Sequence, residues 1–239
     1  ILIPFASSIS APAQSAATVG KLMSGLVMGI ILSRTYAGFI STFSSWNMVY
    51  FSSGIATLLF ALLMWNKLSE TKPNTQLTVA NIYRSLFQLA LDEPHLIRRA
   101  CAGAFGFAIL SMIFTSMTFV LANQPYHFTD FQIGLFGLLG IIGIYSSSWS
   151  GRTVGLGKEN KVAILCISLM LLSCIPLAFA QKNIAAYALG VLMSYFGLTA
   201  FHVLNQNLVY RINPNARSRI NAVYMTIYFS GAALGSLTA

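Results

Sequence analysis

The chain has 239 residues, of which 56% are hydrophobic and only 8% charged, and its mean hydropathy is +0.71. A water-soluble domain carries about 25% charged residues, so this composition excludes one and places the chain in a bilayer. Fourteen Lys and Arg against five Asp and Glu give a net charge of +9, yet the placement of those charges, set out below, speaks for membrane topology and against a nucleic-acid partner.

In chain order, residues 1–9, "ILIPFASSI", read as the tail of a span, since no initiator Met, charged leader or cleavage site precedes them. Apolar stretches close to the ~20 residues that cross ~30 Å of hydrocarbon then occupy 22–42, 46–65, 99–121, 131–150, 161–179, 184–207 and 220–239. They are apolar on nearly all sides and rich in Leu, Ile, Met and Gly. They lack the ten-residue alternation of a β-barrel, so the expected fold class is an all-α polytopic membrane bundle. The last stretch reaches the C-terminus while still apolar, so the chain reads as a bundle truncated at both ends.

The first full span contains "GIILSRTYAG" (29–38), and with it Arg34. A charge at that depth costs roughly 2.5–3.5 kcal/mol on insertion scales, so something must compensate it. The five acids, Glu70, Asp92, Glu93, Asp130 and Glu159, all fall in loops or at span ends, so no acid within a span of this chain offers a partner. Three explanations stay open. The guanidinium snorkels toward the level of Ser41, ~10 Å along the helix. It pairs with an acid on a helix outside this chain. Or it faces a central cavity, where it binds an anionic group of a substrate or repels a proton-loaded partner.

The long connection 66–98 begins polar and Pro-containing, as a linker does. Val79, Ile82, Leu86 and Leu89 then recur at helical spacing, with Asn81, Arg84, Ser85 and Gln88 on other faces. This predicts a short helix on the membrane surface. Thr129 followed by Gln132 predicts a capping box at the start of the next span. That span carries Gly134, Gly137, Gly140 and Gly143, a spiral of small residues suited to close packing or bending.

In the stretch "FHVLNQNLVYR" (201–211), His202, Asn205 and Gln206 share a helix face and gather donors and acceptors near the inner end of a span. They are candidates for substrate binding or coupling together with Arg34. His202 is the one side chain of this set that titrates near neutrality. Tyr36, Tyr145, Trp149, Tyr195 and Tyr224 are candidate cavity aromatics.

Lys21, Lys67, Lys72, Arg84, Arg98, Arg99, Arg152, Lys158, Lys161, Arg211, Arg217 and Arg219 fall in loops that two spans separate from one another. These loops share one face, the cytoplasmic one, and Lys182 is the only fixed cation in the opposite loops. Cys101, Cys166 and Cys174 lie within spans without metal-type spacing and read as small core residues.

"SGLVMG" (24–29) and "SGAALG" (230–235) place the same Ser-Gly-x-x-x-Gly pattern in spans six helices apart, the offset that two parallel six-helix repeats would produce. Gly25, Gly29 and Gly38, and likewise Gly231 and Gly235, are the candidate close-packing positions. The expected division is 1–65 as part of one helical half, 66–98 as the linker and 99–239 as the other half without its last helix.

With these features the chain resembles the major facilitator superfamily, in particular its drug/proton antiporter-like branch. The resemblance rests on "GLVMGIILSRTYAG", "SWNMVYF", "SGRTVGLGKENK" and "NPNARSRINAVYM". Ser33-Arg34 stands where that branch carries Gly-Pro, and Gly155-Leu156 where it carries Asp-Arg. The resemblance implies a proton-coupled secondary transporter that works by alternating access, acts as a monomer in a bacterial inner membrane, and exports a small amphiphilic solute. Uptake of a small polar or anionic nutrient, or a non-transporting scaffold or receptor, is the alternative. It further implies cytoplasmic gating by Arg152, Arg211, Arg217 and Arg219. The expected partners are a small-molecule substrate, protons and lipid. No nucleophile motif, nucleotide loop or Cys/His cluster occurs, so neither an enzyme nor a cofactor or metal site is expected.

Overall fold

Apolar, Leu- and Ile-rich runs with Gly and Pro at their breaks dictate helices, and the computed structural model, which describes residues 15–67, 78–153, 156–213 and 216–239, is built from them. The expected span tail at 1–9, the Pro-containing start of the linker, and Gly155 and Pro214 lie outside the described residues. In chain order the helices are α1 (Ser15–Phe43), α2 (Trp46–Lys67), α3 (Val79–Asp92), α4 (Pro94–Ala122), α5 (Asp130–Phe136), α6 (Ile142–Thr153), α7 (Glu159–Leu172), α8 (Cys174–Ala178), α9 (Ile184–Val209) and α10 (Arg217–Leu237).

Among the described residues, six segments are long and apolar enough to cross a membrane: α2, α4, α5 through α6, α7 through α8, α9 and α10. The sequence reading counts one more, 22–42, which falls inside the 29-residue helix α1.

Several ends follow from local chemistry. Pro94 occupies the first turn of α4, where its missing N–H costs nothing. Thr129 and Gln132 form the expected capping box at α5, and the Asn183 side chain accepts from Ala185 and Ala186 N–H at the start of α9. Pro176 cannot donate to the carbonyl of Leu172, and the helix breaks there into α7 and α8.

The span expected as one helix over 131–150 is also broken. Gly137–Ile141 is a 3₁₀ segment between α5 and α6. Glycine holds the α conformation weakly, and here the tighter turn accommodates side chains from neighbouring helices that sit directly on the glycines.

The core lies between α4, α9 and α10, with Tyr224, Leu198, Leu204 and Ile220 fully enclosed. Small residues set its spacing. A Cβ on Gly231 would lie 2.7 Å from the Cα of Ala104, and one on Gly235 2.6 Å from the Cα of Ala108, so α4 and α10 touch backbone to backbone. Gly25 and Gly29, the other half of the sequence echo, have nothing within 4 Å of such a Cβ among the described residues. Of the three cysteines only Cys166 is a core residue; Cys101 and Cys174 are exposed on the bundle's outer face.

Helix α3 rests Leu89 against the core and exposes Tyr83, Phe87 and Leu91. The three loops near 44, 126 and 181 lie at one end of the bundle. There Ser41 Oγ donates to Asp130 Oδ2, and Tyr126 Oη donates to the Ala180 carbonyl at 2.7 Å.

Candidate functional site

Arg34 stands nine residues before the end of α1, about 13 Å along the axis and hence near the middle of a ~30 Å hydrocarbon layer. Its side chain does not run along α1 toward Ser41. The stem crosses over Gly137, where a Cβ would lie 2.8 Å from Cβ and 3.1 Å from Cδ of Arg34. The guanidinium carbon sits 3.4 Å above the centroid of the Phe114 ring on α4. Phe114 lies eight residues before the end of α4, at a similar depth, so the charge reaches sideways into the bundle instead of upward to water.

The same cluster continues onto α9. The Tyr195 ring packs edge-on against Phe114, with centroids 5.3 Å apart, and covers Gly140, where a Cβ would meet its Cζ at 2.9 Å. Gly137 and Gly140 thus seat Arg34 and Tyr195 one turn apart on the 3₁₀ segment. Tyr187, two turns before Tyr195 on α9, packs on Phe136 with centroids 6.0 Å apart. Both phenols are buried, 3% and 5% exposed; among the described residues the Tyr187 hydroxyl has no hydrogen-bond partner, and the Tyr195 hydroxyl faces the Arg34 guanidinium. The Arg34 charge acts on both, more strongly on Tyr195.

Beside the cluster lies an open cavity of about 350 Å³, within the range of small-ligand sites. Arg34, Phe114 and Gly134 line its depth, and Ser41, Trp46 and Asp130 its mouth. Asp130 is engaged by Ser41, seven residues from Arg34 along α1, and among the described residues no carboxylate partners the guanidinium.

The contact between α1 and α5 is built largely of small residues, with one aromatic pair, Phe39 edge-on to Phe131 at 6.2 Å between centroids. Gly38 and Gly134 approach backbone to backbone, Thr35 Oγ1 donates to the Gly134 carbonyl at 3.1 Å, and Thr42 Oγ1 accepts from the Phe131 N–H at 3.0 Å.

The other polar candidates sit elsewhere. His202 lies seven residues beyond Tyr195, its ring 4.4 Å from that of Tyr228 and its Nδ1 3.4 Å from Tyr224 Oη. Asn205 is fully buried and clamps α9 to α4: Arg99 Nη1 donates to its Oδ1 at 3.1 Å, and its Nδ2 donates to the Arg99 carbonyl at 3.3 Å. Gln206 is buried, with Nε2 lacking a partner. The four residues expected as one set therefore divide into Arg34 at mid-depth and a His202–Asn205–Gln206 group about two turns further in.

Arg152, Arg211, Arg217 and Arg219 are exposed at the end opposite Ser41 and Asp130. Of the expected cavity aromatics, Tyr195 and Tyr224 are buried, Trp149 is half-buried against Phe196, and Tyr36 and Tyr145 are exposed. Phe114 and Tyr187 were not singled out by sequence. Each is one aromatic in an apolar span, and only the fold, which brings Phe114 to a residue 80 positions earlier, distinguishes it.

The Major Facilitator Superfamily model matches residues 1–236. The chain belongs to this superfamily. Among its relatives are the "Uncharacterized transporter YgaY" of Escherichia coli O157:H7, 36% identical over 237 residues, 99% of this chain and 60% of that protein. The "Uncharacterized MFS-type transporter YybF" of Bacillus subtilis (strain 168) is 23% identical over 231 residues, 93% of this chain and 55% of that protein. An "Uncharacterized transporter" of Buchnera aphidicola subsp. Schizaphis graminum is 22% identical over 217 residues. The chain therefore spans a little over half the length of the curated relatives it matches. Membership in the superfamily accounts for the all-α, multi-pass bundle.

Proposed function

We propose that this protein is a secondary active transporter that works by alternating access and exports a small amphiphilic solute in exchange for protons across a bacterial inner membrane. The observation that carries the reading is the α1–α5 seam. It is a small-residue contact with few polar ties at one end, and it stands beside a cavity that holds a charge at mid-depth. Such a contact separates at the loss of the Phe39–Phe131 pair and the seat of Arg34, a small interface of the kind the outer closure of a rocking carrier needs. The halves at 1–65 and 99–239, joined by 66–98, are the bodies that rock. The positive charge at the opposite end, Arg152, Arg211, Arg217 and Arg219 included, orients that end toward the cytoplasm and contributes to its closure.

The test is reconstitution of the protein in vesicles with an imposed pH gradient. A cysteine pair in place of Ser41 and Asp130, oxidised to a disulfide, is expected to stop solute exchange, and reduction is expected to restore it. Normal exchange by the oxidised pair would refute the gate. A second reading, uptake of a small anionic nutrient, is favoured by Arg34 itself. The direction of flux in the same vesicles separates the two.

A further inference from the structure

The least explained feature of the molecule is a cation and two phenols that share one buried region, Tyr195 turned toward the cation and Tyr187 without a partner. Guanidinium has five in-plane donors. Stacking on Phe114 uses its face, Tyr195 takes part of its edge, and among the described residues no carboxylate takes the remaining donors. A buried hydroxyl without a partner is an exception that calls for a cause, and Tyr187 supplies one within reach of the Arg34 charge. A carboxylate offers what the cluster lacks, since it accepts two parallel N–H bonds from Arg and further bonds from hydroxyls. Gly137 and Gly140 let Arg34 and Tyr195 lie directly on the helix backbone, and Phe114, Met117 and Trp46 offer apolar surface on the cavity side.

We propose that Arg34, Phe114, Tyr187 and Tyr195 form the binding site for the anionic group of an amphiphilic organic acid. A single guanidinium selects one negative charge, and the aromatic walls select a flat or aliphatic body. The inference rests on the transport reading above for the ligand's passage, but it concerns equilibrium binding and holds for either direction of flux.

The test uses purified protein in discs of zwitterionic lipid and three probes of one shape: 2-naphthoate, 2-naphthalenemethanol and 2-naphthylmethylammonium, titrated by calorimetry. Naphthoate is expected to bind about 10- to 100-fold more tightly than the alcohol or the ammonium, the range of one charge-assisted pairing. Arg34→Gln is expected to abolish that preference and Arg34→Lys to retain part of it. Tyr187→Phe and Tyr195→Phe, which keep the ring packing, are expected to weaken naphthoate about 3- to 10-fold each and leave the alcohol unchanged. They carry the test if Arg34→Gln fails to fold.

Equal binding of the three probes, preference for the cation, or an Arg34→Gln protein that still prefers naphthoate overturns the site. So does wild-type protein that binds no naphthoate while Arg34→Gln is destabilised, because the guanidinium then pairs with an acid of the protein. The two readings fail separately. Naphthoate binding in a protein that carries no solute sinks transport alone, and solute flux without anion preference sinks this site alone.

Discussion

The α4–α10 contact gives a prediction in which local and tertiary preferences point in opposite directions. Alanine at Gly231 and Gly235 is favoured by helix propensity, by about 0.8–1 kcal/mol per position. The structure demands the reverse. The new Cβ atoms would stand 2.6 Å from the carbonyl carbon of Ala104 and 2.6 Å from the Cα of Ala108, where carbon–carbon contact begins near ~3.5 Å. The obstructing atoms are backbone and cannot rotate away, so the two helices must part by roughly 1 Å. A gap of that size forfeits about a quarter to a half of each contact well along the seam. The stack of Phe107 on Tyr228, with centroids 4.5 Å apart, lies on that seam.

The Gly231→Ala, Gly235→Ala double variant should therefore lose about 2–3 kcal/mol, the range of overpacked cores. Thermal unfolding in detergent measures it, with Gly54→Ala as comparison, since nothing lies within 4 Å of a Cβ there. Gly54→Ala should be neutral or slightly stabilising. Adding Ala104→Gly should not rescue the double variant, because the obstruction is backbone. A double variant as stable as the wild type, or one rescued by Ala104→Gly, would refute the reasoning.

Three further outcomes follow from other contacts. Asn205→Leu removes the acceptor that holds Arg99 and should cost about 1–3 kcal/mol, while Asn205→Asp should fold normally; equal stability of the leucine variant in thermal melts would show that the clamp carries nothing. His202→Gln should flatten the pH dependence of transport in vesicles if His202 carries the coupled proton, and an unchanged profile excludes that role. Tyr210, beyond the end of α9, donates to Asn221 Oδ1 at 2.6 Å, and burial, partly offset by the nearby Arg217 charge, holds its phenol above the usual tyrosine value of 10.0. A raised acid of this kind contributes stability that is complete below the unfolded pKa and is lost as pH rises through the folded one. Tyr210→Phe should accordingly shift the alkaline unfolding limb to higher pH, and coincident limbs would count against it.

Much of the architecture was legible because bilayer thickness dictates span length and because caps are local. The capping box at Thr129 and the helix starting at Val79 needed no tertiary information. The glycine pattern was legible in kind but not in consequence. Gly25 and Gly231 share one motif, yet among the described residues only the second meets a neighbouring backbone. The 3₁₀ break at Gly137 is similar: the glycine spacing permits bending, and only the fold shows that Arg34 and Tyr195 lie over the segment. Asn205 and Arg34 show the limit for polar groups: sequence marks them as costly in a membrane, and only packing reveals that one is paired with Arg99 while the other rests on an aromatic face.

The depth of Arg34 also has an electrical consequence. A fixed positive charge midway through the layer sits within the membrane voltage, which acts on each elementary charge with about 2.3 kcal/mol per 100 mV across the full drop. Any displacement of α1 along the membrane normal carries that charge through part of the drop. An empty carrier would thus do work against the potential, whereas one holding a monoanion against the guanidinium would return as a neutral pair, and the voltage would govern the unloaded half of its cycle.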